Sequence, residues 1–428
     1  MAQLIDTRPV LLPKGFTNKK FLNQLDISNA FLHGSLKDKV FMQQPPGFVD
    51  ASQPSSVSKL NKSLYGLKQA PWAWYDKLGH ALLSLGFTNS KSDCSLFVNT
   101  SPYLVIVLVY MDDIIVTGPH ASFCQDFIHK LSFMFPAKDL GPLHYFLGLE
   151  VYRSSEGIFL SQGKYAMDLL LKTKMEGCKP CAIPLGTTKL DHLGNLLSNP
   201  KGYRSIVGVL QYLTWKRPDI SFAVNQVCQF LHCLRDTHFQ AVKRILRFLK
   251  CTVDHDIWFK KGFLHLTAFS DVDWASCVFD RRSTFGYCVY LASNLISWNA
   301  KKQPMVAQSS TEAEYRSFAL TATEITWICK IFKDLTFPLS HTPTLWCDNV
   351  SAISLASNPM FHARTKHIEI DYHYIRELVL ADLITILYVN IEHQIADIHT
   401  KSLPKSRFHF LRSKRSLGAP PISLRGCK

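Results

Sequence analysis

The chain has 428 residues, more than one hydrophobic core ordinarily serves, so two or three domains are expected. Its 47% hydrophobic content excludes an intrinsically disordered chain, and 48 Lys+Arg against 33 Asp+Glu give a formal charge of +15. That excess favours a polyanionic partner, with nucleic acid foremost, because each phosphate neutralised by a cation releases condensed counterions.

The first twenty residues lack the basic start, apolar middle and small-residue cleavage site of a secretory signal. The apolar run from Tyr103 to Val109 falls far short of the roughly 20 residues a bilayer requires. An intracellular chain in cytoplasm or nucleus is expected, with no membrane span and its 12 cysteines as reduced thiols. Cys178 and Cys181 in CKPC have no second C-x-x-C to complete a tetrahedral zinc site, so they read as structural thiols.

In chain order, a short apolar run from Phe21 to Leu25 leads into Asp26, and the polar stretch from Asp50 to Ser58 is a loop. Trp74, Leu78, Leu82 and Leu85 recur at spacings of three and four, which predicts a helix within 63–85 ended by Gly86. Tyr103 to Val109 and Ile114 to Thr117 predict two strands of a hairpin that carries Asp112 and Asp113 at its tip. A second hairpin is predicted over 143–161, divided by SSEG, followed by a helix over 164–172. After a Pro- and Gly-rich linker, two helical segments are predicted between Tyr203 and Cys251, separated near Asp236. The second places Val242, Ile245, Leu246 and Leu249 on one face and Lys243, Arg244, Arg247 and Lys250 on the other. Such a basic face reads first as solvated and secondly as a track for a duplex backbone.

From Phe263 the pattern becomes three strands, helix, strand, helix. The strands are predicted at 264–269, 284–291 and 295–299, and the helix starts at Ser309, where Ser309 and Glu312 have capping-box spacing. A short strand at 345–347 ends at Asp348.

Asp26, Asp112 and Asp113 are the first set of carboxylates at strand ends. Nucleotidyl transfer from a triphosphate needs divalent ions held by hard oxygen ligands, which such carboxylates supply; a lone Asp-Asp pair in a turn is otherwise an ordinary solvated turn. LDISNAFLHG, SLYGLKQAP, VYMDDIIVTG and LGPLHYFLGLEV follow one another in the order of copia-type retrotransposon reverse transcriptases, and the chain resembles that Pol polyprotein family almost to its C-terminus. The resemblance implies that Asp26, Asp112 and Asp113 bind the metal of the polymerase palm. It implies that Phe31 screens the sugar 2′ position and that Tyr65, Gly66 and Lys68 lie against template and incoming nucleotide.

The second set is Asp271, Glu314, Asp348 and Asp397, in FSDVDWA, SSTEAEYRSFA, LWCDNVSA and QIADIHTK. Hydrolysis of an RNA phosphodiester needs acidic ligands gathered from a mixed sheet and its helices, and these strings resemble the ribonuclease H domain of copia elements. Asp273 and Glu312 are the alternatives to Asp271 and Glu314; Glu312 has its capping role, and Asp271 ends the predicted strand. His362, His367 and His373 lack finger spacing and read as polar contacts on a helix. His393 is read as a surface residue or an aid to product release.

The resemblance implies a multidomain α/β and α+β protein: a reverse-transcriptase palm, a helical thumb and connection, then a ribonuclease H-like mixed sheet with helices. Its expected bounds are 1–22 for a fingers remnant, 23–175 for the palm, 176–262 for linker and thumb, 263–402 for the ribonuclease H-like domain and 403–428 for a poorly ordered basic tail. The implied cofactor is Mg²⁺ or Mn²⁺, and the implied partners are RNA template, DNA primer, RNA–DNA hybrid and deoxynucleoside triphosphates. Only 25 residues precede Asp26, so an N-terminally truncated fingers region and impaired polymerase activity are expected. The rival expectation is a catalytically inactive nucleic-acid-binding remnant.

Overall fold

The computed structural model describes residues 21–337, 339–357, 368–415 and 417–418. It divides into two compact units: one takes the described residues of 15–143 and 330–337, the other those of 144–329 and 338–428. Most of the expected fingers remnant, together with His362 and His367, lies outside the described residues. No helix among the described residues is long and apolar enough to cross a membrane.

The first unit is built on a six-stranded antiparallel sheet in the order Thr88–Asn89, Leu96–Asn99, Val105–Tyr110, Asp113–Gly118, Phe21–Ile27, Ala137–Pro142. Val105 to Val109 are buried without alternation, as an unbroken apolar strand covered on both faces must be. Leu25, Val107, Ile114 and Val116 share one core with Trp74, Leu78 and Leu82 of the helix Ala70–Ser84 and with Ile128 and Leu131 of the helix Ala121–Met134. The first of these helices lies inside the expected span of 63–85 and begins at Ala70. Pro71 occupies its first turn, the one place where a missing N–H costs nothing, and Gly66 at φ 93° forms the turn before it.

The other unit contains two sheets. One is antiparallel, in the order Leu417–Gly418, Asp256–Lys260, Gly157–Ser161, Leu149–Arg153, Tyr145–Phe146, and includes the hairpin that SSEG divides. Three helices follow the linker rather than two: Pro200–Leu213, Ser221–Cys228 and Asp236–Cys251. Pro218 forces the extra break by holding Arg217 out of helical geometry, and the Arg217 guanidinium then lies buried on Asp219, with both nitrogen–oxygen distances at 2.9 Å. Val242, Ile245, Leu246 and Leu249 are buried as their spacing predicts. On the basic face, Arg247 donates to the Lys179 carbonyl at 2.7 Å and Lys250 to the Cys178 carbonyl at 2.8 Å, so two of its four cations hold the linker.

The second sheet of this unit is mixed, in the order Asn294–Lys302, Thr284–Leu291, Leu266–Asp273, Thr344–Cys347, Thr385–Tyr388; its first three strands are antiparallel and its last two pairings parallel. The helix Ser310–Asp334 follows the third strand in the chain. This is the ribonuclease H-like mixed sheet, and with the palm and the helical connection it makes the chain a multidomain α/β and α+β protein. The strand expected at 264–269 runs on to Asp273, so Asp271 lies inside it rather than at its end, directly opposite Gly286. At Gly286 an added Cβ would stand 2.5 Å from the Cβ of His399, so only glycine lets the turn Asp397–Thr400 approach the sheet this closely.

Within the tail expected to lack order, Lys405–Ser413 form a helix, while 416 and 419–428 lie outside the described residues. Phe408 and Leu411 enter the same core as Leu246 and Leu249, Arg412 donates to buried Asp219 at 2.9 Å, and buried Arg415 donates to the Ile395 carbonyl at 2.8 Å. Arg412 and Arg415 are thus used as internal partners, which net charge along the sequence does not reveal.

Candidate functional site

On the mixed sheet, oxygens of Asp271, Glu314 and Asp348 all lie within 4.8 Å of one another. Asp271 comes from the central strand, Glu314 from the second turn of the long helix and Asp348 from the residue after the strand Thr344–Cys347. Asp271 and Glu314 are buried and Asp348 is half-buried. Burial raises the Asp271 carboxyl above its ordinary range, with Asp397 and Asp348 adding to the rise and Lys401 opposing it. Burial likewise raises Glu314, helped by the negative charges of Asp271 and Asp348. Three hard oxygen donors whose ionised forms repel one another in a dry setting fit a divalent cation. Among the described residues no other group of three or more acids, histidines or cysteines is gathered this tightly.

Asp397 is placed differently from the other three. Its Oδ1 accepts from Lys401 at 2.7 Å and its Oδ2 from Arg407 at 3.0 Å. The same Lys401 ammonium lies 3.1 Å from Asp271 Oδ1, and the Thr400 hydroxyl donates to Asp271 Oδ2. Asp397 thus reaches the group through a shared cation. Lys401, Thr400 and Arg407 were not singled out from the sequence, although the four-residue spacing of Asp397 and Lys401 is the signal that pairs opposite charges on one helical face.

The two alternatives have other partners. Glu312 accepts from the Gln308 N–H at 2.8 Å and pairs with Arg316 at 2.8 Å, while its own N–H donates to Ser309 Oγ at 3.1 Å, which completes the cap. Asp273 is faced by Lys189. His373 lies in the helix Glu369–Leu380, and His393 is exposed in a short 3₁₀ turn.

In the other unit, the ladder sets Asp26 directly opposite Asp113, and the Ile27 N–H donates to the Asp112 carbonyl at 2.9 Å. The hairpin turn places Met111 at φ 56°, and buried Trp74 steadies it by donating from Nε1 to the Met111 carbonyl at 2.7 Å. Gln24 donates to Asp113 Oδ1 at 2.8 Å. Partial burial raises the Asp113 carboxyl, Gln24 works against the rise, and Asp112 and Asp26 add to it. The Phe31 and Tyr65 rings meet at 4.9 Å between centroids, and the Ser63 hydroxyl donates to the Phe31 carbonyl. Lys68 is exposed three residues beyond Tyr65.

The family model described as reverse transcriptase (RNA-dependent DNA polymerase) matches residues 7–187. The retrovirus-related Pol polyprotein from transposon RE2 of Arabidopsis thaliana is 49% identical over 401 residues, covering 93% of this chain and 27% of that protein. A putative transposon Ty5-1 protein of Saccharomyces cerevisiae is 32% identical over 308 residues, covering 70% of this chain and 100% of its own length. The foamy viral protease-reverse transcriptase in complex with RNA/DNA hybrid shares the fold at 14% identity and a TM-score of 0.50, over 90% of this chain and 45% of that one. The chain spans little more than a quarter of the length of the Arabidopsis Pol polyproteins it matches, at 27% and 28% of theirs. With the palm ladder and the mixed sheet in place, these likenesses make the chain a member of the copia-type retrotransposon Pol polyprotein family, corresponding to its reverse transcriptase and ribonuclease H region.

Proposed function

We propose that this chain hydrolyses the RNA strand of RNA–DNA hybrids at Asp271, Glu314 and Asp348, with Mg²⁺ or Mn²⁺ as cofactor. The observation that carries the reading is the approach of three carboxylates from three separate elements to within 4.8 Å. A divalent ion bound there supplies positive charge to the scissile phosphate and acidifies the attacking water. Buried Asp271 and Glu314 keep their oxygens in fixed positions, and the Thr400 hydroxyl orients the Asp271 carboxylate. Half-buried Asp348 forms the side open to solvent, from which a phosphate backbone enters.

The second part of the reading is RNA-directed DNA synthesis at Asp26, Asp112 and Asp113, with an RNA template, a DNA primer and deoxynucleoside triphosphates. It is supported by the Asp26–Asp113 ladder pair and by the Phe31–Tyr65 ring contact beside Gly66 and Lys68. A hybrid is also what the foamy viral relative holds in its solved complex.

The test is cleavage of the labelled RNA strand of a hybrid by the purified chain, with single-stranded RNA as control. Metal-dependent cleavage of the hybrid alone is the expected result, and a folded protein that leaves the hybrid intact in both Mg²⁺ and Mn²⁺ sinks the nuclease reading. Primer extension on an RNA template, abolished by Asp112→Asn, checks the polymerase reading separately.

A further inference from the structure

We propose that the paired hydroxyls of Ser270 and Ser317 are a positioning device for the nuclease site, fixing the strand that carries Asp271 against the helix that carries Glu314 and so setting the separation of those two carboxylates. The inference rests on the nuclease reading above and names residues that serve it without touching substrate. The two hydroxyl oxygens lie 2.6 Å apart, and both side chains are wholly buried.

The spacing on both elements directs the pair to the site. Ser270 and Val272 flank Asp271 and share one face of the strand Leu266–Asp273, because side chains alternate along a strand. Glu314 and Ser317 are three apart and share one face of the helix Ser310–Asp334. Ser317 meets Ser270, and the Val272 amide faces the Glu314 carboxylate. The helix is thus fastened to the strand on either side of Asp271. The Ser270 carbonyl also accepts from Gln394 Nε2 at 3.0 Å, and Gln394 Oε1 accepts from the Ala396 N–H at 3.2 Å. The same strand residue therefore holds the segment that leads into Asp397.

Packing alone does not call for hydroxyls here. Ala313, Ala319 and Ala322 are buried on the same helix, so small apolar residues serve along it. A buried hydroxyl costs stability unless it is bonded, and once bonded it has a direction and a length that an alanine contact lacks. Oxygen ligands of a divalent ion tolerate displacements of only about 0.2 Å, so the position of this strand against this helix governs affinity.

The experiment measures Mn²⁺ affinity by electron paramagnetic resonance on the full chain, taking the part of the binding that Asp348→Asn abolishes, alongside denaturant midpoints. Ser270→Ala and Ser317→Ala each leave one hydroxyl unpartnered and are expected to lower the midpoint and weaken the binding. The double variant removes both hydroxyls, so its midpoint is expected to return towards the parent while its affinity stays roughly tenfold weaker. A pair that only packs would recover both together, and that result overturns the proposal, as does parent affinity in either folded single variant. Ser317→Cys, with a similar volume and a weaker donor, decides if the other variants do not fold: about threefold weakening is expected, and unchanged affinity overturns the proposal. If the parent binds Mn²⁺ through Asp348 yet leaves RNA–DNA hybrid intact, the nuclease reading fails while the same affinities decide the role of the pair. Binding that is indifferent to Asp348→Asn overturns both.

Discussion

Gln24 donates a hydrogen bond to the very carboxylate, Asp113, that faces Asp26 across the ladder. Gln24 opposes the rise that burial and the neighbouring acids impose on Asp113. Gln24→Leu removes that restraint, so Asp113 holds its proton to higher pH. Mn²⁺ binding at the palm should weaken on the order of fivefold at pH 6, the scale of one partly exposed hydrogen bond to a charge, and stay near the parent value at pH 8. Titrations at the two pH values, in a background with Asp348→Asn, check this; equal weakening at both would show that Gln24 acts only through packing.

Asp348→Asn keeps the shape of the side chain and removes a charged oxygen, so hybrid cleavage should fall by roughly 10²-fold or more. Glu312→Gln is the matched control. It loosens the pair with Arg316 and the cap at Gln308, costing about 1 kcal/mol of stability with cleavage retained. Cleavage kinetics decide between the two glutamates: loss in Glu312→Gln with retention in Glu314→Gln would transfer the ligand role to Glu312.

Two buried aspartates near the helical connection respond to pH in opposite senses. Burial pushes Asp256 up to about 6, despite Arg217 and the Ser161 hydroxyl, so between pH 4 and 6 the folded chain keeps a proton that the unfolded chain has released. Stability falls as pH rises through that window and levels off above it. Asp256→Asn removes the dependence, and its denaturation midpoint should gain on that of the parent between pH 4 and pH 7, by about 2–3 kcal/mol. Asp219 is opposite: burial would raise it, but Arg217 and Arg412 overcome burial and hold it at about 2. Its contribution is present above its ordinary value of 3.8 and is lost as pH falls towards 2. Asp219→Asn leaves two guanidiniums underpaired and should cost about 3–5 kcal/mol at neutral pH.

Trp74→Phe keeps an aromatic ring against Phe135, whose centroid lies 5.2 Å away, and deletes the bond to the Met111 carbonyl. The expected cost is about 1–2 kcal/mol in the denaturant midpoint, with a larger proportional loss of primer extension because the left-handed Met111 turn loses its support. Equal losses in stability and extension would reduce Trp74 to a core residue.

The palm hairpin was legible because its signals are local: an unbroken apolar strand, two acids, then a second strand. The convergence of Asp271, Glu314 and Asp348 was legible through their strings, and the buried apolar face of Asp236–Cys251 through its period. The Pro218 break was missed because Arg217 and Asp219 look in sequence like two solvated charges rather than a buried pair. The end of the Leu266–Asp273 strand was missed because the acids Asp271 and Asp273 break its apolar pattern, though the sheet buries Asp271. The helix Lys405–Ser413 was missed for the same reason, since the partners of Arg412 and Arg415 lie outside it in sequence. Charge that is satisfied only in three dimensions is what the linear reading lacks.

Gly286 carries no chemistry, yet it sets the depth to which Asp397, Thr400 and Lys401 sink against Asp271. A single methyl group there would collide with His399 and lie 3.0 Å from Thr400 Cγ2, lifting the turn and parting the shared cation from one of its carboxylates. A copy of this sequence can therefore keep every acidic residue and still lose the site through one silent-looking position. An intact set of carboxylates is not enough to keep this geometry; it needs a glycine at position 286 as well.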